Sequence, residues 1–146
     1  MIQLSKRLNA VAELLVHGID QLELEQPVLA DIGTDHAYLP VYLVQKKVVK
    51  KAYAADVRKG PLLHAKEHIE QYGLGEYIQT RLSDGGESFV PGESEVAVIA
   101  GMGGGLMQKI LSRSPEFFEK NSCVVLQPQS ELEQFRRFLT EDGWCI

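Results

Sequence analysis

The sequence predicts an α/β domain built on a doubly wound, mostly parallel sheet, and three observations carry that prediction. Apolar strand-like runs alternate with helix-like runs along the chain, the pattern of right-handed βαβ crossovers. Four of those runs end in glycine or aspartate: Asp31/Gly33, Asp56, Asp84/Gly85 and Gly101 to Gly104. A doubly wound sheet binds its ligands outside the carboxyl ends of its strands. The length of 146 residues suits one domain, able to bury roughly 70% of its unfolded surface. Apolar content of 45% and charged content of 24% are those of an ordinary globular chain.

Taken in order, residues 3–16 read as an amphipathic helix. Leu4, Leu8, Val11, Ala12 and Leu15 recur at helical spacing, with Lys6, Arg7 and Glu13 outside the stripe. Charges inside its apolar pattern distinguish it from a secretory leader. Asp20 to Pro27 is loop-like. Val28 to Ile32 is a buried strand running into a glycine turn, after which Asp35 and His36 open a helix reaching about Val48. Pro40 falls in its first turn, where proline is tolerated. Lys51 to Val57 is a second strand, and a helix from about Gly60 to Tyr72 stops at Gly73. Tyr77 to Leu82 is a third strand, followed by the turn Ser83-Asp84-Gly85-Gly86. Glu95 to Ala100 is a fourth, apolar enough for burial on both faces. A glycine-rich turn and a helix to about Arg113 follow. Cys123 to Leu126 is a fifth strand, Glu131 to Asp142 a helix, and Trp144 to Ile146 the start of a sixth strand. The sheet therefore reads as truncated at the C-terminal end.

Several function classes are set aside. No apolar run approaches the roughly 20 residues of a membrane span. Cys123 and Cys145 read as buried thiols of a reducing cytosol, which predicts a cytoplasmic protein. The four histidines have no ligand spacing with the cysteines, so no metal site is expected, and His64 and His68 are read as solvent-facing. A net charge of −5 argues against a surface that grips nucleic acid everywhere. A local basic patch remains available. The cluster Lys46, Lys47, Lys50 and Lys51 lies at the amino end of the second strand and reads as a solvated face, leaving Lys6 and Arg7 as the RNA-binding candidates.

The ligand question centres on VLADIGTDHAYLP, residues 28–40. Asp56, at the end of the second strand, is placed to accept hydrogen bonds from a ribose diol. Asp84 could take an adenine amino group or serve only as an Asx-type turn. A dinucleotide site would want glycine where Asp35 stands, since its charge repels a pyrophosphate. No phosphate-binding GxxxxGK[ST] loop occurs. A cationic nucleoside with an amino-acid tail fits better, and S-adenosylmethionine is one.

DIGTDHAYLP, Gly60-Pro61, SDGG, IAGMGG and LQP, in this order after an N-terminal LSKRL, resemble the bacterial tRNA (adenine-22, N1)-methyltransferase family. Thr34, Asp56 and Gln129 depart from its usual serine, glutamate and asparagine without changing chemical type. The resemblance implies a Rossmann-like class I methyltransferase sheet, with 1–146 as the S-adenosylmethionine-binding catalytic domain, and tRNA as partner. Further strands and a helical C-terminal domain, present in the family, are absent from it. It implies that Asp31, Gly33 and Thr34 shape the methionine-tail and ribose pocket. Asp56 with Val57 would hold the ribose, and Asp84 with Gly85 the adenine. Ala100, Gly101, Met102 and Gly103 would line the mouth where the target base arrives. They stand where many amino-methylating enzymes carry Asn/Asp-Pro-Pro-Tyr, which points to backbone contacts with the base. Asp35 is the candidate catalytic carboxylate, with an N-cap role as its alternative. His36 is a second catalytic candidate, orienting the base, while Tyr38 reads as buried packing. A methyltransferase on another substrate and a non-catalytic nucleotide-binding module are the competing readings.

Overall fold

The computed structural model describes residues 2–146. Five strands, β1 (Val28–Ile32), β2 (Lys51–Asp56), β3 (Ile78–Leu82), β4 (Val96–Met102) and β5 (Cys123–Pro128), form one sheet in the order β3-β2-β1-β4-β5. Every pairing is parallel. The chain winds outward from β1 to β2 and β3, then crosses back to β4 and β5, so the order reverses between β1 and β4. A crevice opens at that switch point, outside the carboxyl ends.

Helices α1 (Lys6–Gln21), α2 (Tyr38–Gln45) and α3 (Lys59–Gln71) cover one face, and α4 (Gly104–Arg113), α5 (Pro115–Glu119) and α6 (Leu132–Glu141) the other. Alternation along the strands supplies both cores. Leu29, Ala52, Ala54, Val96 and Val98 pack beneath α1 to α3. Ala30, Ile32, Tyr53, Ala55, Ala97 and Ile99 pack against Met107, Phe117, Phe118 and Phe135 on the opposite side. This two-sided burial is why β1, β2 and β4 read as continuous apolar runs.

Helix α1 begins where Ser5 accepts the Leu8 N–H (3.3 Å). It runs past the predicted end at residue 16 to Gln21, because Ile19 continues the buried stripe of Val11, Ala12 and Leu15. Other boundaries differ from expectation as well, among them the end of α2 at Gln45 rather than near Val48. Helix α2 starts at Tyr38 rather than at Asp35, because Asp35 (φ 60°) and Ala37 (φ 62°) are left-handed. Trp144 to Ile146 form no strand; Gly143 turns the chain and Trp144 donates from Nε1 to Asp142 (3.1 Å). The sequence pattern does not predict helix α5, whose 5 residues are too few for periodicity to register. Its Phe117 and Phe118 are fully buried anchors. Of the two thiols expected to be buried, Cys123 is half-buried and Cys145 exposed, since no strand carries residue 145 into the sheet.

Helices α4 and α6 meet at Gly104. A Cβ there would stand 2.9 Å from the Ser130 carbonyl oxygen, 3.0 Å from that of Glu131 and 3.1 Å from Phe135 Cβ. Two of these are backbone atoms that cannot swing aside. Gly104→Ala is expected to cost about 1–3 kcal/mol, the usual range for overpacking a close contact. Urea unfolding of the two proteins measures it; an unchanged midpoint would show that the helices separate freely.

Candidate active site

A cavity of about 570 Å³ occupies the switch point, within the usual range for a small-molecule site. Its floor is the end of β1. Gly33 and Thr34 both donate backbone N–H bonds to the Ala55 carbonyl (2.9 and 2.8 Å), pinning the turn to β2. Gly33 has φ 76°, and a Cβ there would collide with Met102 Cε. Asp31 is 5% exposed, and Thr34 Oγ1 donates to its Oδ2 at 2.7 Å. Burial pushes the Asp31 carboxyl up to about 7; the Thr34 hydrogen bond opposes the rise, repulsion from Asp56 adds to it, and Arg7 opposes it.

Asp56, also 5% exposed, forms the next wall. The Asp35 N–H donates to its Oδ2 (3.3 Å) and the Arg58 N–H to its Oδ1 (3.0 Å), with Arg58 Nε 3.7 Å away. Each oxygen keeps a further lone pair for a ligand. Beyond β3, Ser83 Oγ donates to the Gly85 carbonyl (2.7 Å) and accepts the Ser88 N–H (3.1 Å), shaping the turn that presents Asp84 and Gly85. Asp84 is half exposed, with Arg113 Nη1 3.6 Å from Oδ2.

The opposite wall is the end of β4, where the register with β5 slips between Ala100 and Met102. Such an irregularity re-aims the strand end. The Gly101 N–H donates to Gln127 Oε1 (3.1 Å), and Arg7 Nη1 donates to the same oxygen (3.1 Å). The first turn of α1 thereby closes over the cavity.

Of the residues singled out in the sequence, Asp31, Gly33, Thr34, Asp35, Asp56, Val57, Asp84, Gly85, Ala100, Gly101 and Met102 line this one cavity, as does Arg7. Gly103, His36 and Lys6 do not. Gly103 is the N-cap of α4 and faces Ser130 Oγ. Lys6 and Arg7 are both exposed neighbours on α1, and only Arg7 reaches the cavity lining. The His36 ring packs among Tyr38, His64 and His68, with centroids 5.4, 5.3 and 5.7 Å away, and its Nε2 is 3.9 Å from Asp35 Oδ1. It stands behind Asp35 rather than on the cavity wall.

Three further expectations are corrected. Tyr38 is 38% exposed on the cavity rim rather than buried. His68, expected to face solvent, is half-buried and donates from Nδ1 to the His36 carbonyl (2.9 Å), because α3 packs its last turns beside the β1–α2 turn. Asp35 does not cap α2; the N-cap is Ala37, and the Asp35 side chain is 62% exposed. Arg58, Leu106, Ile110 and Gln127 also serve the site and were not anticipated. Gln127 belongs to the LQP string at the end of β5. Leu106 and Ile110 follow the glycine-rich turn at helical spacing, which could have marked them.

Among the described residues no His, Cys, Asp or Glu cluster is arranged to hold a metal ion, and no helix is long and apolar enough to cross a membrane. The cavity combines two buried acids, two arginines and apolar side chains, a lining suited to a small ligand bearing hydroxyls and positive charge.

The methyltransferase-domain family matches residues 4–146. The chain is 37% identical over 145 residues to the tRNA (adenine(22)-N(1))-methyltransferase of Bacillus subtilis (strain 168), covering 99% of this chain and 58% of that protein. The solved structure of Streptococcus pneumoniae Sp1610 with S-adenosyl-L-methionine is 35% identical with a TM-score of 0.86, over 97% of this chain and 63% of that one. That of M. capricolum TrmK with S-adenosyl-homocysteine is 31% identical with a TM-score of 0.81, over 99% and 61%. The chain thus spans about three fifths of the curated relatives it matches, 58%, 61% and 62% of their lengths.

Proposed function

The chain belongs to the methyltransferase-domain family, and from that premise we propose that residues 2–146 form the S-adenosylmethionine-binding catalytic unit of a tRNA methyltransferase acting on N1 of adenine-22. The observation that carries this reading is the convergence of Asp31, Asp56 and the Asp84-Gly85 turn on one cavity. The lining fits the methyl donor. Asp56 has lone pairs left for a ribose diol, the Asp84 turn offers an acceptor to an adenine amino group, and Asp31 presents a carboxylate to an ammonium.

When bound, S-adenosylmethionine supplies a methyl group already activated by its sulfonium. What the protein adds is orientation and electrostatics. Asp56 and the turn at Gly101 would hold the donor from opposite walls of the cavity. Asp35, at the cavity mouth, stabilises positive charge growing on an adenine attacking through N1, or takes a proton from its amino group. The base must be splayed out of the folded tRNA to arrive there. Such work on tRNA would place the protein in the cytoplasm.

Transfer of labelled methyl from S-adenosylmethionine to a tRNA transcript tests the proposal. Label is expected in a transcript with adenine at position 22 and absent when that base is guanine. Label of equal strength in both, or label only in protein or small molecules, would move the substrate elsewhere.

The raised Asp31 carboxyl makes cofactor binding depend on pH. Its folded value of about 7 lies above its ordinary 3.8. The free folded protein therefore holds a proton that the unfolded chain has lost, and its stability falls as pH rises from about 4 through 7. An ammonium ligand prefers the carboxylate form and expels that proton. Affinity for S-adenosylhomocysteine is expected to rise about tenfold between pH 6 and pH 8. Titration calorimetry in buffers of different ionisation enthalpy reads both the slope and the proton released. Asp31→Asn should flatten the slope; a slope that persists in it belongs to another group.

A further inference from the structure

Four aromatic rings gather where α3 meets the turn between β1 and α2. Tyr38 opens α2, and His36 stands two residues before it. His64 and His68 are four apart on α3 and so share one of its faces. The Tyr38 ring centroid lies 4.9 Å from that of His68 and 5.4 Å from that of His36, and His64 lies 5.3 Å from His36. The bond from His68 Nδ1 to the His36 carbonyl (2.9 Å) locks α3 to the turn.

Packing alone does not account for this cluster. Tyr38 is 38% exposed and the His64 side chain 61% exposed. Nδ1 of His36 is buried with no hydrogen-bond partner among the described residues, a cost that aliphatic side chains would avoid. The cluster begins on the cavity rim with Tyr38 and continues outside the cavity, since none of the three histidines lines it. Arg58, its side chain 70% exposed, stands on the same cavity wall and supplies a cation. A wet aromatic surface beside a cation is what an unstacked nucleotide recognises, because every base has a face to stack and a phosphate to pair.

We propose that Tyr38, backed by His36 and His68, is a stacking ledge for the RNA base that adjoins the methylated adenine. This rests on the tRNA reading above and extends it to the nucleotides beside the target. A base drawn into the cavity leaves its covalent neighbour at the rim, where the Tyr38 ring is exposed. Holding that neighbour opposes the return of the splayed segment to its place in the folded tRNA. His36 and His68 are positioning residues, acting through the Tyr38 ring.

Fluorescence and single-turnover methyl transfer on this chain, with tRNA transcripts, test the ledge. The fluorescent base 2-aminopurine replaces in turn the base on either side of adenine-22, and adenine-22 itself. At saturating chain and S-adenosylhomocysteine, one flanking probe is expected to be quenched by stacking on the Tyr38 ring. Tyr38→Leu, which keeps the bulk and removes the ring, should relieve that quench. It should also raise the tRNA concentration for half-maximal transfer about 5- to 100-fold, the worth of one stacked base. Tyr38→Phe and Tyr38→Trp keep a ring face and should restore both readouts, and His68→Leu should show a smaller loss. A Tyr38-dependent quench confined to the adenine-22 probe, a flanking quench that survives Tyr38→Leu, or a loss that Tyr38→Phe does not restore overturns the ledge while leaving the tRNA reading intact. Failure of the unaltered chain to transfer methyl to any transcript overturns both.

Discussion

Asp56→Ala is expected to weaken S-adenosylhomocysteine binding by about 100-fold or more, from the loss of two charge-assisted hydrogen bonds at about 1.5–3 kcal/mol each. The size follows from the site. Asp56 is buried, and two backbone N–H groups, from Asp35 and Arg58, aim its oxygens. A ligand diol therefore meets an acceptor already in position and loses little entropy in ordering it. Removing the carboxylate also leaves those N–H groups without their partner and frees Arg58 from its one acidic contact. Asp56→Asn is the finer probe. It keeps one oxygen acceptor and replaces the other by a donor, so it should fall between the two. Calorimetry on the three proteins checks the order; an Asp56→Ala protein that binds as tightly as the unaltered chain would remove the ribose role from Asp56.

Asp35→Asn is expected to lower methyl transfer to tRNA by about 100-fold or more, in the range typical of a lost general base. Affinity for S-adenosylhomocysteine should stay within about threefold. Asparagine is the informative replacement because Asp35 has φ 60°, which Asn and Asp tolerate and alanine resists. Asp35→Ala would mix loss of the carboxylate with strain in the turn that donates to Asp56 (3.3 Å). If the carboxylate only shaped that turn, Asp35→Asn would transfer methyl at the original rate. Single-turnover transfer at saturating cofactor separates the two outcomes. His36, 3.9 Å behind the Asp35 carboxylate, can orient it without reaching the cavity, so His36→Asn should have a smaller effect on the same measurement.

The strand ends were legible because glycine and aspartate do things there that other residues do poorly. Gly33 occupies a backbone region closed to most side chains, and Asp31, Asp56 and Asp84 bring charge to the ends of apolar runs. The turn between β1 and α2 was not legible. Alanine is the strongest helix former, yet Ala37 is left-handed at φ 62°, and Asp35 and His36 lie outside the helix they were expected to open. The choice is made by the Gly33 and Thr34 N–H groups bonding to Ala55 on the neighbouring strand. Local propensity contains no such contact.

Arg7 marks the same boundary at the other end of the site. By sequence it is a charge beside Lys6 on the polar side of an amphipathic helix. Periodicity tells which side of α1 is buried, but it is silent on where the end of α1 falls on the sheet. Only the docking of α1 beside β5 brings Gln127 within 3.1 Å of its guanidinium. The alternating α/β architecture, the strands buried on both faces and the acidic character of the ligand pocket were legible in the chain, because they follow from hydrophobic period and from residue type at strand ends. Which charges share one cavity, which stay unpaired within it and which histidine stands behind the mouth emerge only from packing. Those outcomes depend on distances across elements far apart in the chain, set by sheet order and helix docking.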